Sequence, residues 1–218
     1  MRLIKIKNSI VELPVGKIVC VGRNYAAHAK ELGNEVPAFP LIFLKPASVL
    51  IHSGENIVYP DYSSEMHHEV ELVLLIGKTI KDADDKTSEE AIAGYAVGLD
   101  MTLRDIQSEL KKKGHPWTLA KVFDTSAAVS DFVSKNDYQI QGNEKISLTV
   151  NGELRQNSSL SYMIFSAPKI INYISSKMTL EKGDLIFTGT PAGVGSVSRG
   201  DKIVAQIENI STLTTSVV

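Results

Sequence analysis

The run Val70–Ile76, VELVLLI, has the length and near-continuous apolarity of a buried β-strand, yet Glu69 precedes it and Glu71 interrupts it near its start. Unpaired charge is expensive where a strand leaves water, so these two carboxylates restrict what the fold can place around them. Residues two apart on a strand share a face, which brings Glu69 and Glu71 side by side in mutual repulsion. Exposure, protonation of one carboxyl, or a shared cation would each relieve it.

A second apolar run, GYAVGLD, reads as a strand ending at Asp100. Its carboxylate can supply a third oxygen at the same rim. Three carboxylates on two strand ends favour a hard cation with positions left for water or a guest, hence Mg2+ or Mn2+, whereas calcium usually recruits more protein oxygens. His67 and His68 sit beside the pair, but neighbouring strand residues face opposite ways, so His68 is expected to point away from Glu69. Both histidines read as outlying or surface groups rather than zinc ligands.

Other segments fill out a strand-rich pattern. Lys17–Val21 predicts a strand running into a helix in GRNYAAHAKELG, with Asn24 as N-cap, Gly33 just past the C-terminus, and Tyr25, Ala29 and Leu32 on one face. FPLIFLKP and SVLIHSG read as two strands separated by a turn, and Thr87 and Glu90 have the spacing of a capping box. LRDIQSELKKKG and APKIINYISSKM have helical spacing, while Asn151-Gly152 marks a hairpin and DLIFTG and KIVAQIENI read as short strands. Strand and helix do not alternate regularly, which argues against a doubly wound sheet. With no linker or repeat, residues 1–218 read as one domain, a mixed α/β, strand-rich fold with short helices.

Two helical pairs, a lone lysine and a glycine-bearing loop suggest chemistry. His28 and Glu31 lie three apart, so the carboxylate can orient the imidazole while the ring takes a proton from water; exposed helices also contain this spacing. Arg104 and Gln107 share a face that begins at the Asp100 rim, where a guanidinium suits a substrate carboxylate and an amide suits a carbonyl oxygen gaining charge; a solvated face fits equally well. Lys121 lies among apolar neighbours in TLAKVFD, as an electrostatic stabiliser or a structural lysine with a buried stem. GTPAGVGSVSRG lacks the G-K-[ST] and G-x-G-x-x-G patterns of nucleotide loops and reads instead as a ligand-contacting loop with Thr190 as a donor.

Composition removes several classes. A net charge of −2 gives no nucleic-acid footprint, and no apolar stretch approaches the roughly 20 residues of a membrane span. The lone Cys20 excludes an internal disulfide framework or a thiolate-rich metal site and reads as a small buried hydrophobe. With no recognisable signal peptide, the expected location is the cytoplasm.

In order along the chain, CVGRNYAAHAKEL, FLKP, HHEVELV, GLDMTLRDIQ, WTLAKVFD and FTGTPAGVG resemble the fumarylacetoacetate hydrolase family, particularly its short acylpyruvase-like members. The resemblance spans about residues 17–207. It implies a coiled β-roll, usually dimeric, so that a homodimer is expected. It also implies that Glu69, Glu71 and Asp100 ligate Mg2+ or Mn2+ and that His28 with Glu31 activates water. Arg104, Gln107, Lys121 and Thr190 match positions that contact or polarise the substrate, and Lys45 and Tyr25 match more loosely. The implied substrate is a small 2-oxo acid such as an acylpyruvate, with oxaloacetate decarboxylation and 2-oxo acid tautomerisation as alternatives.

Overall fold

The computed structural model describes residues 2–10, 12–31, 33 and 35–218. Strands β1 (Leu3–Lys5), β2 (Glu12–Pro14) and β3 (Lys17–Gly22) precede helix α1 (Ala26–Glu31); β4 (Leu41–Pro46), β5 (Leu50–His52), β6 (Met66–His68) and β7 (Val70–Ile76) precede α2 (Asp85–Ala91). β8 (Ile92–Asp100) and β9 (Thr102–Leu103) lead to α3 (Arg104–Lys112) and α4 (Thr118–Lys121). β10 (Ala127–Val129), β11 (Val133–Ser134), β12 (Lys145–Val150) and β13 (Glu153–Ser159) precede α5 (Ala167–Lys177), and β14 (Leu185–Phe187), β15 (Gly195–Val197), β16 (Lys202–Ile207) and β17 (Ser211–Ser216) follow it.

The main sheet runs β4-β3-β14-β7-β8-β10-β5, with β11 also pairing β8, and a four-stranded sheet, β13-β12-β16-β17, packs against β7 and β8. Strand β7 is buried along its whole length because both faces are covered. Leu72, Leu74 and Ile76 face a core shared with Ile146, Leu148, Ile203 and Leu213, while Val73 and Leu75 face a second core with Ile18, Cys20, Phe132 and Phe187. The result is a strand-rich α/β fold with few short helices, as the sequence pattern predicts.

Several local expectations need correction. FPLIFLKP and SVLIHSG form strands separated by a turn as expected, the single 3-10 turn Ala47–Val49, but that turn does not make them a hairpin: β4 and β5 lie at opposite ends of the main sheet's strand order. Asn24 does not cap α1: its Nδ2 donates to Thr188 O at 2.8 Å and Phe165 O at 3.0 Å, and its Oδ1 accepts from Phe165 N at 2.7 Å. A wholly buried amide satisfies backbone groups of distant segments, here the approach to α5 and the residue after β14, before it satisfies a short helix. The cap of α2 is Asp84, which accepts from Thr87 N at 2.7 Å and starts the helix ahead of the expected box. Gly33 does take the left-handed conformation expected past a helix, at φ 65°, whereas Leu32 lies outside the described residues.

Candidate active site

Period-two alternation brings the acids together. Val73 faces the second core, so Glu71, two residues earlier, emerges on the same face, and the antiparallel register pairs Glu71 with Gly98 and Val70 with Leu99. The same register sets residue 69 opposite Asp100, whose N–H donates to Glu69 O at 2.9 Å. Gly98 is required here because a Cβ would fall 2.5 Å from Val73 and 2.6 Å from Phe187. Ligand oxygens of Glu69, Glu71 and Asp100 lie within 4.8 Å of one another, and all three side chains are buried.

Cations surround two of the three acids. Lys121 Nζ donates to Glu69 Oε2 at 2.8 Å and Asp100 Oδ2 at 2.6 Å, and Lys45 Nζ lies 2.7 Å from Asp100 Oδ1. Arg104 places one terminal nitrogen 2.5 Å from Glu69 Oε1, the other 2.6 Å from Gln107 Oε1, and its Nε 3.3 Å from His67 Nδ1. Glu71 is different: it accepts from Gly189 N at 2.7 Å and makes no ion pair among the described residues.

These neighbours divide the carboxylates electrostatically. Burial pushes the Glu71 carboxyl well above the usual range, and the charges of Asp100 and Glu69 push it further. Burial acts the same way on Glu69, but Lys121, Arg104 and His28 outweigh it and hold that group below the usual range. Burial pulls the Lys121 ammonium's pKa down, but Asp100 and Glu69 outweigh it and raise it above the ordinary lysine value.

The donor set fits a hard divalent cation. It is all oxygen, and the carboxylate without a protein cation, Glu71, is the one whose charge a bound ion would compensate. His68 is turned away onto Gln156, and His67 lies between Arg104 and Glu65, so neither histidine joins the acidic cluster.

Across the cavity His28 Nδ1 lies 3.1 Å from Glu31 Oε2, which leaves Nε2 as the ring nitrogen for proton transfer. Glu31 Oε1 accepts from Gly193 N at 3.0 Å, tying α1 to the glycine loop. One cavity is lined by His28, Glu69, Glu71, Asp100, Arg104, Gln107, Lys121 and Thr190. Tyr25 and Lys45 do not line it. Tyr25 is buried with no partner for its hydroxyl among the described residues, and Lys45 is wholly buried behind Asp100, donating to Ser126 O at 2.7 Å and Met101 O at 3.1 Å. Lys45 therefore holds a carboxylate rather than facing a guest. Sequence reasoning missed the backbone N–H groups of Gly189 and Gly193, although the glycines of FTGTPAGVG were their signal, and it missed Arg23 and Lys111, which also line the cavity.

Residues 17–218 match the family model described as fumarylacetoacetate (FAA) hydrolase C-terminal. The chain belongs to the fumarylacetoacetate hydrolase family. Relatives include the Arabidopsis thaliana protein named oxaloacetate tautomerase FAHD1, mitochondrial, 50% identical over 195 residues that make up 89% of this chain and 87% of that one. The Dictyostelium discoideum protein named oxaloacetate decarboxylase, mitochondrial, is 48% identical over 197 residues, 90% of each chain. Among solved structures, fumarylpyruvate hydrolase from Pseudomonas aeruginosa in complex with Mn2+ and pyruvate superposes with a TM-score of 0.96 at 39% identity, covering 100% of this chain and 95% of that one. The strand-rich architecture of this chain is thus that of a fumarylacetoacetate hydrolase-family enzyme, and its acidic cluster is a group that could hold a metal ion.

Proposed function

We propose that the protein is a divalent-metal-dependent enzyme that hydrolyses a carbon–carbon bond in an acylpyruvate or related small 2-oxo acid. The observation that carries this reading is the buried three-carboxylate cluster facing a His–Glu pair across one cavity. Glu69, Glu71 and Asp100 would hold Mg2+ or Mn2+, which supplies Lewis acidity worth several kcal/mol where negative charge develops.

The chain's own groups account for the rest. His28 Nε2 takes a proton from water while Glu31 Oε2 accepts a hydrogen bond from Nδ1–H and favours the imidazolium that forms. The hydroxide attacks the distal carbonyl; the bond from that carbon to the neighbouring methylene breaks, its electron pair leaves as pyruvate enolate, and proton uptake gives a carboxylic acid and pyruvate. Gln107 spends its Oε1 on Arg104, so its amide N–H groups are the donors it can offer an oxyanion, together with the Lys121 ammonium. The proposal includes a cytoplasmic homodimer, supported by the single buried cysteine and the family likeness; the two curated relatives above are named as mitochondrial.

Those relatives' names favour a second reading, tautomerisation or decarboxylation of oxaloacetate, which needs the same cation but no attacking water. Turnover of 2,4-dioxo acids and of oxaloacetate by wild type and His28→Ala, with Mg2+ or Mn2+, separates the two. Loss of acylpyruvate cleavage with decarboxylation retained is the expected result. Hydrolysis unaffected by His28→Ala would remove the water-activating role, and oxaloacetate turnover without any dioxo-acid cleavage would favour the second reading.

A further inference from the structure

Gln156, on β13 of the smaller sheet, is wholly buried and reaches the rim of the site. Its Oε1 lies 3.1 Å from Val70 N and 3.0 Å from His68 Nδ1; its Nε2 lies 2.9 Å from Pro191 O and 2.8 Å from Thr190 Oγ1. Two of these partners leave no choice of orientation. A backbone N–H only donates and a backbone carbonyl only accepts, so Oε1 must face Val70 and Nε2 must face Pro191. The remaining contacts then have fixed polarity: His68 donates from Nδ1, and Thr190 Oγ1 accepts from the amide. The His68 side agrees, since its Nε2 is buried with no partner among the described residues, as suits the bare nitrogen of that tautomer.

Having accepted from Gln156, the Thr190 hydroxyl retains its own proton for the cavity it lines. We propose that Gln156 is a positioning residue that sets Thr190 as a donor toward a carboxylate oxygen of the bound 2-oxo acid. The inference rests on the metal-chelating reading of the site. It extends that reading to a residue that touches neither the cavity nor the three carboxylates. Val70 opens β7 between Glu69 and Glu71, so the same amide links the segment carrying two of the acids to the loop carrying Thr190.

A double-mutant cycle on the full chain tests this, with Mg2+ present and oxalate as the probe, read by calorimetry. Thr190→Val removes the donor at nearly constant shape. Gln156→Glu replaces the Nε2 donor by a carboxylate oxygen, so the Thr190 proton turns toward it and leaves the cavity. Each single change should weaken oxalate binding by about tenfold or more, the scale of one hydrogen bond to a charged group. The double variant should match Thr190→Val alone, and KM for a 2-oxo acid should rise in each variant more than kcat falls. Equal weakening by Gln156→Glu in both backgrounds would overturn the proposal, as would oxalate affinity unchanged by Thr190→Val. If Gln156→Glu does not fold, Gln156→Met enters the same cycle; it should weaken binding severalfold in the wild-type background and not at all beside Thr190→Val. Wild type that fails to bind oxalate with Mg2+ would instead sink the metal-chelating reading itself.

Discussion

Single side chains at this site are legible in proportion to how rigidly their backbone sets their direction. Glu69, Glu71 and Asp100 follow from a period of two and a register, and they meet as expected. Lys45 does not, because a long flexible stem lets an ammonium turn into the protein, here onto Asp100 and two backbone carbonyls. Lys111 is another such case. It lines the cavity, its ammonium lies 5.2 Å from the Trp117 ring, and burial, then Arg104 and Arg23, lower its pKa to about 8. The affinity for an anionic 2-oxo acid should therefore weaken as pH rises through about 8, where Lys111 loses its charge. Its effect on folding has the opposite sign: between that value and the ordinary lysine value the unfolded chain binds more protons, so this group's contribution to stability grows with pH. KM measured from pH 7 to 9.5 for wild type and Lys111→Arg checks the first effect, since arginine stays charged and should flatten the rise. An identical rise in both proteins would assign the titration to another group.

Elements were easiest to read where apolar periodicity is strong and hardest where a polar residue has a distant competitor. Strand β7, helix α5 and the Asn151-Gly152 hairpin follow from local pattern. The start of α1 does not, because Asn24 is claimed by Phe165 and Thr188, and neither partner is visible from the helix sequence. Gly189 belongs to the same crowded junction. At φ 98° it occupies the left-handed region, and a Cβ would lie 2.7 Å from Asn24 Cβ and 3.0 Å from Val21 O. Backbone displacement there moves the N–H that Glu71 accepts. Gly189→Ala should lower stability by about 1–3 kcal/mol, the scale of one strained non-glycine residue, and should weaken Mg2+ binding as well. Urea denaturation and metal titration check the two effects; retention of wild-type metal affinity would show that the Gly189 contact does not position Glu71.

At the scale of the molecule, pairing between remote strands was out of reach of local pattern, as β4 and β5 at opposite sheet edges illustrate. That same non-local arrangement couples the acidic cluster to global stability. Glu71 belongs to β7, whose two faces complete both cores, so the cluster is assembled only when the sheet and its packing layers are assembled. A cation that binds the assembled cluster and not the unfolded chain stabilises the whole fold, by about 2.7 kcal/mol at a hundredfold excess over Kd. For a chain of this size that is a rise in Tm of roughly 5–11 °C, reversed by a chelator. Glu71→Gln should behave differently on both sides of the comparison. An amide oxygen can still accept from Gly189 N, and the substitution removes a buried carboxyl whose charged form burial, Asp100 and Glu69 all disfavour, so the metal-free protein should melt no lower than wild type at neutral pH. The rise with added Mg2+ or Mn2+ should shrink or vanish. Calorimetric melting of both proteins with and without metal checks this, and a metal-dependent rise that survives intact in Glu71→Gln would place the cation elsewhere.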